Sequence, residues 1–419
     1  MNKPVIICVD DEPAVLDSLK IELKRALADE CIIETAEGGE DALELLAELK
    51  EDQYEVALVL SDYIMPDIKG DELLKRIHAM SPQTLKIMLT GQADLEAVGN
   101  AIKHAKLYRY ISKPWQTEDL KLTVVEAVHS YLQDKKLTEQ NIKLQKINRA
   151  YERFVPRQFL QFLDKNTIID VELGDHVQKD MSVLFADIRD FTALSETMTP
   201  EDNFRFINSY LSLMEPAISE NRGFIDKYIG DEIMALFSGG ADDAVKAAIS
   251  MLHRLAEYNT TRQRPDRLPI QVGIGINTGS LMLGTVGGQT RMDSTVISDA
   301  VNLASRLENL TKTYGVSLLI THHSFSQLKN STDYAIRLID RVKVKGKSKF
   351  VSVFEVFDAD APELLKGKLT TRTTFEQAAL LYHLNDFSGA AELFSDCLSR
   401  VPQDRAAQIY LDRCQKQML

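Results

Sequence analysis

Five chemically capable residues recur behind apolar runs in the first 113 positions. Asp10 and Asp11 follow VIICV, Asp62 follows VALVLS, Thr90 follows LKIML, and Lys113 follows YRYIS. Clustered carboxylates repel one another unless a divalent cation joins them, so this set points to bound Mg²⁺. With the cation in place, Asp62 could attack a phosphoryl donor and Lys113 could pair with the resulting charge. Singly, each reads better as a solvated loop residue; the convergence of all five argues for a site. A second set lies further on. Asp187 closes the run VLFA, and Asp231 forms with Gly230 a two-residue loop of hairpin type between IDKYI and EIMALF. Two carboxylates at strand ends could share two cations about 3.5–4 Å apart, which suits an in-line phosphoryl displacement. Asn302 and Arg306 are four apart and share one face of a helix that Ser298 or Asp299 would cap. An amide and a guanidinium shown together could orient a ribose and neutralise a pentavalent phosphate. Taken alone, these four are ordinary turn formers and helix-surface residues.

The elements that must position these groups follow from hydrophobic periodicity. Strand-like runs at 5–9, 32–36, 56–61, 85–89 and 107–111 alternate with helical patterns at 14–27, 42–49, 72–78 and 95–104. Such alternation predicts βαβ units and a parallel sheet with helices on both faces. In such sheets functional groups gather at the carboxyl ends of the strands, where the first set falls. Next, Leu137, Leu144 and Tyr151 recur at seven, with Ile147 and Phe154 between and beyond the later two and Gln133 and Gln140 at the earlier alternate positions. This short seam fits either one amphipathic helix lying on a domain or a parallel dimeric helix, and Pro156 should end it. A mixed strand and helix region runs from 179 to 358. After it, Phe375, Ala378, Ala379, Tyr382, then Phe387, Ala390, Phe394 and Leu398 mark a small-residue helix pair followed by Pro402 and another helix. That pattern is similar to a tetratricopeptide repeat, with about one and a half repeats, too few to stand alone and so expected to dock on the preceding domain.

Composition limits the function classes. The chain has 419 residues, a formal net charge of -13, and four scattered cysteines without metal-ligand or disulfide spacing. An acidic chain with no local basic patch repels phosphate backbones, so nucleic acid is not an expected partner. No apolar run approaches the ~18–20 residues of a membrane span, and the amino terminus enters a strand without a signal-peptide pattern. A cytoplasmic location is expected.

The motifs CVDDEP, LVLSDYIMPDIKGDELL, IMLTG and YRYISKPW resemble the receiver domain of two-component response regulators. The resemblance implies that Asp62 is the phosphoacceptor, with a histidine kinase as phosphodonor. It implies Mg²⁺ held by Asp11, Asp62 and Ile64, an acidic pocket of Asp10 and Asp11, switch residues Thr90 and Tyr110, and Lys113 before a cis Pro114.

LFADIRDFT, IDKYIGDEIMALF, GINTG, VNLASRLE and VKGK resemble, in order, the class III nucleotidyl cyclases. The implied roles are two Mg²⁺ or Mn²⁺ on Asp187 and Asp231 with help from the Ile188 carbonyl, the ribose on Asn302, the transition state on Arg306, and the terminal phosphates on Lys345 or Lys347. Lys227 matches the adenine-reading lysine and Thr295 the second base position, of a type in which bicarbonate often stimulates activity. Ser294 and Ser298 depart from the usual aromatic residue and glycine. The whole then resembles a response-regulator adenylate cyclase: an α/β multidomain chain with a flavodoxin-like receiver (1–128), a helical linker (129–178), an α+β cyclase with a ferredoxin-like core (179–358) and a helical tail (359–419). Cyclases of this class split the site between two protomers, which implies a homodimer and favours the dimeric reading of the seam. A GTP-using guanylate or diguanylate cyclase, or a silent cyclase-like adaptor, are the alternatives.

Overall fold

The computed structural model describes residues 3–27, 29–91, 95–261, 269–288, 290–343 and 350–418. The chain forms two compact units, Met1–Ala150 and Tyr151–Leu419.

The first unit alternates strand and helix: β1 (Val5–Val9), α1 (Pro13–Leu27), β2 (Ile32–Ala36), α2 (Gly39–Glu51), β3 (Val56–Asp62), α3 (Gly70–Met80), β4 (Leu85–Thr90), α4 (Leu95–Ala105), β5 (Arg109–Ser112) and α5 (Thr117–Tyr151). The five strands are all parallel in the order β2-β1-β3-β4-β5. β1 and β3 are buried throughout, as continuous apolar runs in a two-faced sheet must be. Leu16, Leu19, Leu23 and Leu27 recur at three and four along α1 and are the residues it buries. The chain reverses direction across the sheet between β1 and β3, which opens the crevice where such folds place ligands. β5 starts two residues later than the apolar run 107–111 suggests. Leu107 fills the core on one side of the sheet and Tyr108 the core on the other before the strand proper begins. α5 is one continuous helix of 35 residues. Its first part buries Leu120, Val124, Ala127, Val128 and Tyr131, whereas Leu137, Leu144, Ile147 and Tyr151 are exposed. The helix stops at Tyr151, ahead of Pro156, which instead stands at the residue before the next short helix.

The second unit contains α6 (Arg157–Phe162), β6 (His176–Ile188), α7 (Phe191–Ser195), α8 (Pro200–Glu220), β7 (Gly223–Ile229), β8 (Glu232–Phe237), α9 (Ala241–Thr261), β9 (Val272–Gly288), β10 (Arg291–Ile297), α10 (Asp299–Tyr314), β11 (Leu318–Thr321), α11 (His322–Ser326), β12 (Ile336–Lys343) and β13 (Phe350–Val356). Three further helices follow, α12 (Pro362–His383), α13 (Phe387–Arg400) and α14 (Arg405–Met418). Its sheet runs β12-β13-β11-β9-β6-β8-β7, with β10 paired to β9. All pairings are antiparallel except β11 with β9, so the unit is α+β. One core lies between the sheet and α8 and α9. Another joins α10, β11, β12 and β13 to α12–α14.

α10 lies close against β9 because glycine permits it: a Cβ at Gly275 would sit 2.2 Å from the Glu308 backbone nitrogen. Ser298 caps α10 by accepting from the Ala300 N–H at 3.0 Å, worth about 1 kcal/mol, and donates to the Ser280 carbonyl at 2.6 Å. The departure from glycine at 298 is thus a working cap. The three terminal helices are joined to the sheet by charges as well as by apolar packing. Arg337 on β12 is fully buried and bonds Glu355 on β13 at 2.6 Å and both oxygens of Asp404, just ahead of α14, at 2.6 and 2.9 Å. Lys368 on α12 adds contacts of 2.6 Å to Glu355 and to Asp360. The Arg337 guanidinium lies 4.0 Å from the centroid of Phe375. Among the described residues no helix is long and apolar enough to cross a membrane.

Candidate active and phosphorylation sites

β1 and β3 deliver Asp10 and Asp62 to neighbouring strand ends, and Asp11 follows directly. One carboxylate oxygen from each of the three lies within 4.8 Å of the others. Lys113, behind β5 and before a cis peptide to Pro114, reaches Asp10 at 2.7 Å and Asp62 at 2.8 Å. Burial alone would depress this ammonium, but the two aspartates hold it above its ordinary value. Thr90 is buried at the end of β4, while Tyr110 on β5 and Ile64 in the loop after β3 are exposed. Hard oxygen donors on a partly open rim suit Mg²⁺, with Asp11 exposed and Asp62 nearly buried. All the first-unit residues singled out from sequence therefore sit on one edge, apart from the outward-facing Tyr110 and Ile64 side chains.

In the second unit β6 ends on Asp187–Ile188, and Asp231 occupies the turn between β7 and β8 beside Gly230, whose φ of 68° only glycine adopts freely. Burial first, and then the Asp231 carboxylate beside it, push the Asp187 carboxyl up to about 7. Asp231 Oδ2 is buried without a hydrogen-bond partner, and so is the Tyr210 hydroxyl of α8, which senses both aspartates. Two like charges with an unsatisfied oxygen are what a divalent cation would relieve, so the residues fit the metals that the sequence implied. Two further acids stand near. Glu232 follows Asp231, and Glu308 of α10 is buried, pushed up to about 7 by burial and by Glu232, with Arg189 pulling it back. Sequence reading missed Glu308. Its signal was an acid at a helix position flanked by the inward-facing Leu307 and Thr311.

Lys227 on β7 donates to the Ser294 carbonyl of β10 at 3.2 Å, next to Thr295, so the two base-reading candidates share one locality. Asn302 and Arg306 line a cavity of about 620 Å³ together with Asn277, Thr278, His322 and Phe350. Neither Asp187 nor Asp231 lines it. The amide and guanidinium thus open on a cavity that the two carboxylates do not line. Lys345 and Lys347 fall outside the described residues. His322 and His323, also on the cavity wall, carried no sequence signal beyond their adjacency.

Residues 175–355 match the family of adenylate and guanylate cyclase catalytic domains, and residues 6–125 match the response regulator receiver domain. An adenylate cyclase of Anabaena cylindrica is 48% identical over 220 residues, which cover 51% of this chain and 44% of that protein. A terminal-differentiation specific adenylate cyclase of Dictyostelium discoideum is 37% identical over 278 residues, 65% of this chain and 13% of that protein. The crystal structure of the adenylyl cyclase CyaB from P. aeruginosa aligns with 34% identity over 44% of this chain and 96% of that one, with a TM-score of 0.39. The chain spans less than half the length of the two curated relatives.

Proposed function

The chain joins a response regulator receiver domain to an adenylate and guanylate cyclase catalytic domain, and from this premise we propose that it converts ATP to 3′,5′-cyclic AMP and pyrophosphate under control of phosphorylation at Asp62. One observation carries the catalytic reading: the buried, unpartnered Asp231 oxygen beside a carboxyl pushed up to about 7 at Asp187. Asp187 and Asp231, with the Ile188 carbonyl, would hold Mg²⁺ or Mn²⁺; bound there, the ions would supply charge for the triphosphate and favour ionisation of the ribose 3′-hydroxyl. Asn302 orients the ribose so that the 3′-oxygen lines up with the α-phosphorus. Arg306 donates to the equatorial oxygens as pyrophosphate departs, and stabilises charge that is greatest in the transition state. Lys345 or Lys347 holds the terminal phosphates.

Base choice rests on Lys227. An ammonium only donates, and the ring nitrogen it would meet accepts in adenine and carries a proton in guanine. ATP is therefore the expected substrate, with Thr295, next in sequence to the Ser294 carbonyl that Lys227 meets, as the second base contact.

That Asn302 and Arg306 line a cavity which neither aspartate lines supports a homodimer in which each site takes metals from one protomer and the ribose and transition-state groups from the other. The exposed Leu137, Leu144, Ile147 and Tyr151 of α5 would pair between the copies. In the first unit, Asp62 beside Asp10, Asp11 and Lys113 has the arrangement of a phosphoacceptor awaiting a histidine kinase, with Mg²⁺ on Asp11 and Asp62. Thr90 and Tyr110 would register the new phosphoryl group. Purified protein incubated with Mn²⁺ and labelled ATP or GTP tests the reading: cyclic AMP supports it, cyclic GMP or a dinucleotide favours the GTP-using alternatives, and no product from either nucleotide refutes catalysis.

A further inference from the structure

We propose that Asp226 determines base selection by positioning Lys227, a role that rests on the reading of Lys227 as the adenine-recognising residue. The pairing of β7 with β8 is regular up to Ile225↔Ala235 and resumes at Lys227↔Met234, so Asp226 is the extra residue of a β-bulge. In an unbroken strand neighbouring side chains leave opposite faces, and bulges re-aim them beside functional sites. Here the two ends meet. The Asp226 side chain is 1% exposed and its Oδ2 lies 3.5 Å from Lys227 Nζ. That oxygen has no hydrogen-bond partner, so Lys227 meets it as an ion-pair contact. Burial pushes the Asp226 carboxyl above its ordinary range, Asp293 on β10 adds to this, and Lys227 is the cation that pulls it back.

The ammonium is thereby held between two strands, by the charge of Asp226 on β7 and the Ser294 carbonyl on β10. An ammonium has three donors. The Ser294 carbonyl takes one, and the Asp226 charge draws the head group toward β7, which narrows the directions open to the others. A donor restricted in this way fits the one ring nitrogen that distinguishes adenine from guanine by accepting. A lysine on a free four-carbon stem would carry the same charge and no such direction. Selection between the bases thus depends on the bulge and its carboxylate as well as on the lysine.

The test uses the full chain with Mn²⁺ and compares kcat and KM for ATP and for GTP in wild type, Asp226→Asn, Lys227→Met and the double variant. In Asp226→Asn, KM for ATP should rise about tenfold, kcat should change less than about threefold, and use of GTP should not fall, so that the preference for ATP drops about tenfold. The double variant should match Lys227→Met alone, since both changes act through one ammonium. Asp226→Ser carries the same expectation where the asparagine variant does not fold. Equal losses with both nucleotides, or additive effects in the double variant, overturn the proposal and leave the adenylate cyclase reading standing. A wild-type protein that makes no cyclic AMP removes that reading and this one together.

Discussion

Replacing Arg337 with Met should weaken the second unit severely while leaving the first untouched. The guanidinium is fully buried and meets Glu355 and Asp404, themselves buried. Met fills much of the same volume, so the cost comes from electrostatics. Two carboxylates would remain in an apolar layer with Lys368 as their neighbouring cation, which Asp360 also engages. Removing one partner of a buried ion pair costs about 3–5 kcal/mol, because the other charge stays desolvated. For a domain of this size each kcal/mol lowers Tm by about 2–4 °C, so the second unit should melt roughly 6–20 °C earlier. Calorimetry of the full chain reads this directly, with the transition of the first unit as an internal reference. Adding Asp404→Leu to Arg337→Met should restore part of the loss, because deleting both charges is cheaper than stranding one. Acid gives a second handle. Burial alone would raise the Asp404 carboxyl, yet Arg337 holds it below its ordinary value. Its contribution is therefore present above the unfolded pKa, near 4, and lost as pH falls through the folded value. Arg337→Met should lose that acid sensitivity. A shift under about 2 °C, with the double variant no better than the single, would show that water reaches these charges and that the desolvation reasoning is wrong.

Three further outcomes are expected. Asp187→Ala and Arg306→Ala should each abolish cyclic AMP formation, whereas mixed together they should recover about a quarter of wild-type activity through one intact site per heterodimer; no recovery contradicts the two-protomer site. In metal-free protein the raised Asp187 carboxyl makes the folded state hold a proton that the unfolded state has lost between about pH 4 and 7, so stability should fall by ~2 kcal/mol as pH rises through that window, allowing for partial screening. Denaturant melts with a chelator check this, and Asp187→Asn should make the profile shallower, leaving the part that the raised Glu308 carboxyl contributes. Finally, a small phosphodonor with Mg²⁺ should change the cyclase rate of the wild type at least twofold in one direction and leave Asp62→Ala unchanged; identical rates in both would dismiss phosphoregulation.

Much of this architecture could be read from local pattern. Period and strand-end chemistry were enough for the first unit because a parallel sheet writes its strands as apolar runs and its site at their carboxyl ends, so Asp10, Asp62, Thr90 and Lys113 were found from position alone. The hairpin at Gly230-Asp231 and the Ser298 cap were equally visible, since each depends on a few adjacent residues. What could not be read depends on partners far away in sequence. Arg337 and Asp404 are 67 positions apart, and no periodicity links them. The bulge at Asp226 exists only in the pairing of β7 with β8. Glu308 looks like a surface acid until α10 is laid against the glycines of β9. The start of β5 was misplaced for a related reason, since an apolar run records burial and a strand also requires a ladder.

The buried charges between the terminal helices and the sheet also bear on where the catalytic part can be cut. The stretch that matches the cyclase family stops at residue 355, and a fragment trimmed there would keep Arg337 and lose Asp404, Lys368 and the Phe375 ring that covers it. It would also bare the outer face of α10, where Leu303, Leu307 and Tyr314 now rest against the terminal helices. Such a fragment would leave Arg337 paired with Glu355 but without the two-oxygen contact to Asp404, and would carry a sticky patch on the back of the helix that presents Asn302 and Arg306. The transplantable unit therefore runs through α14, and chimeras that give this output domain a new sensor should keep all three helices.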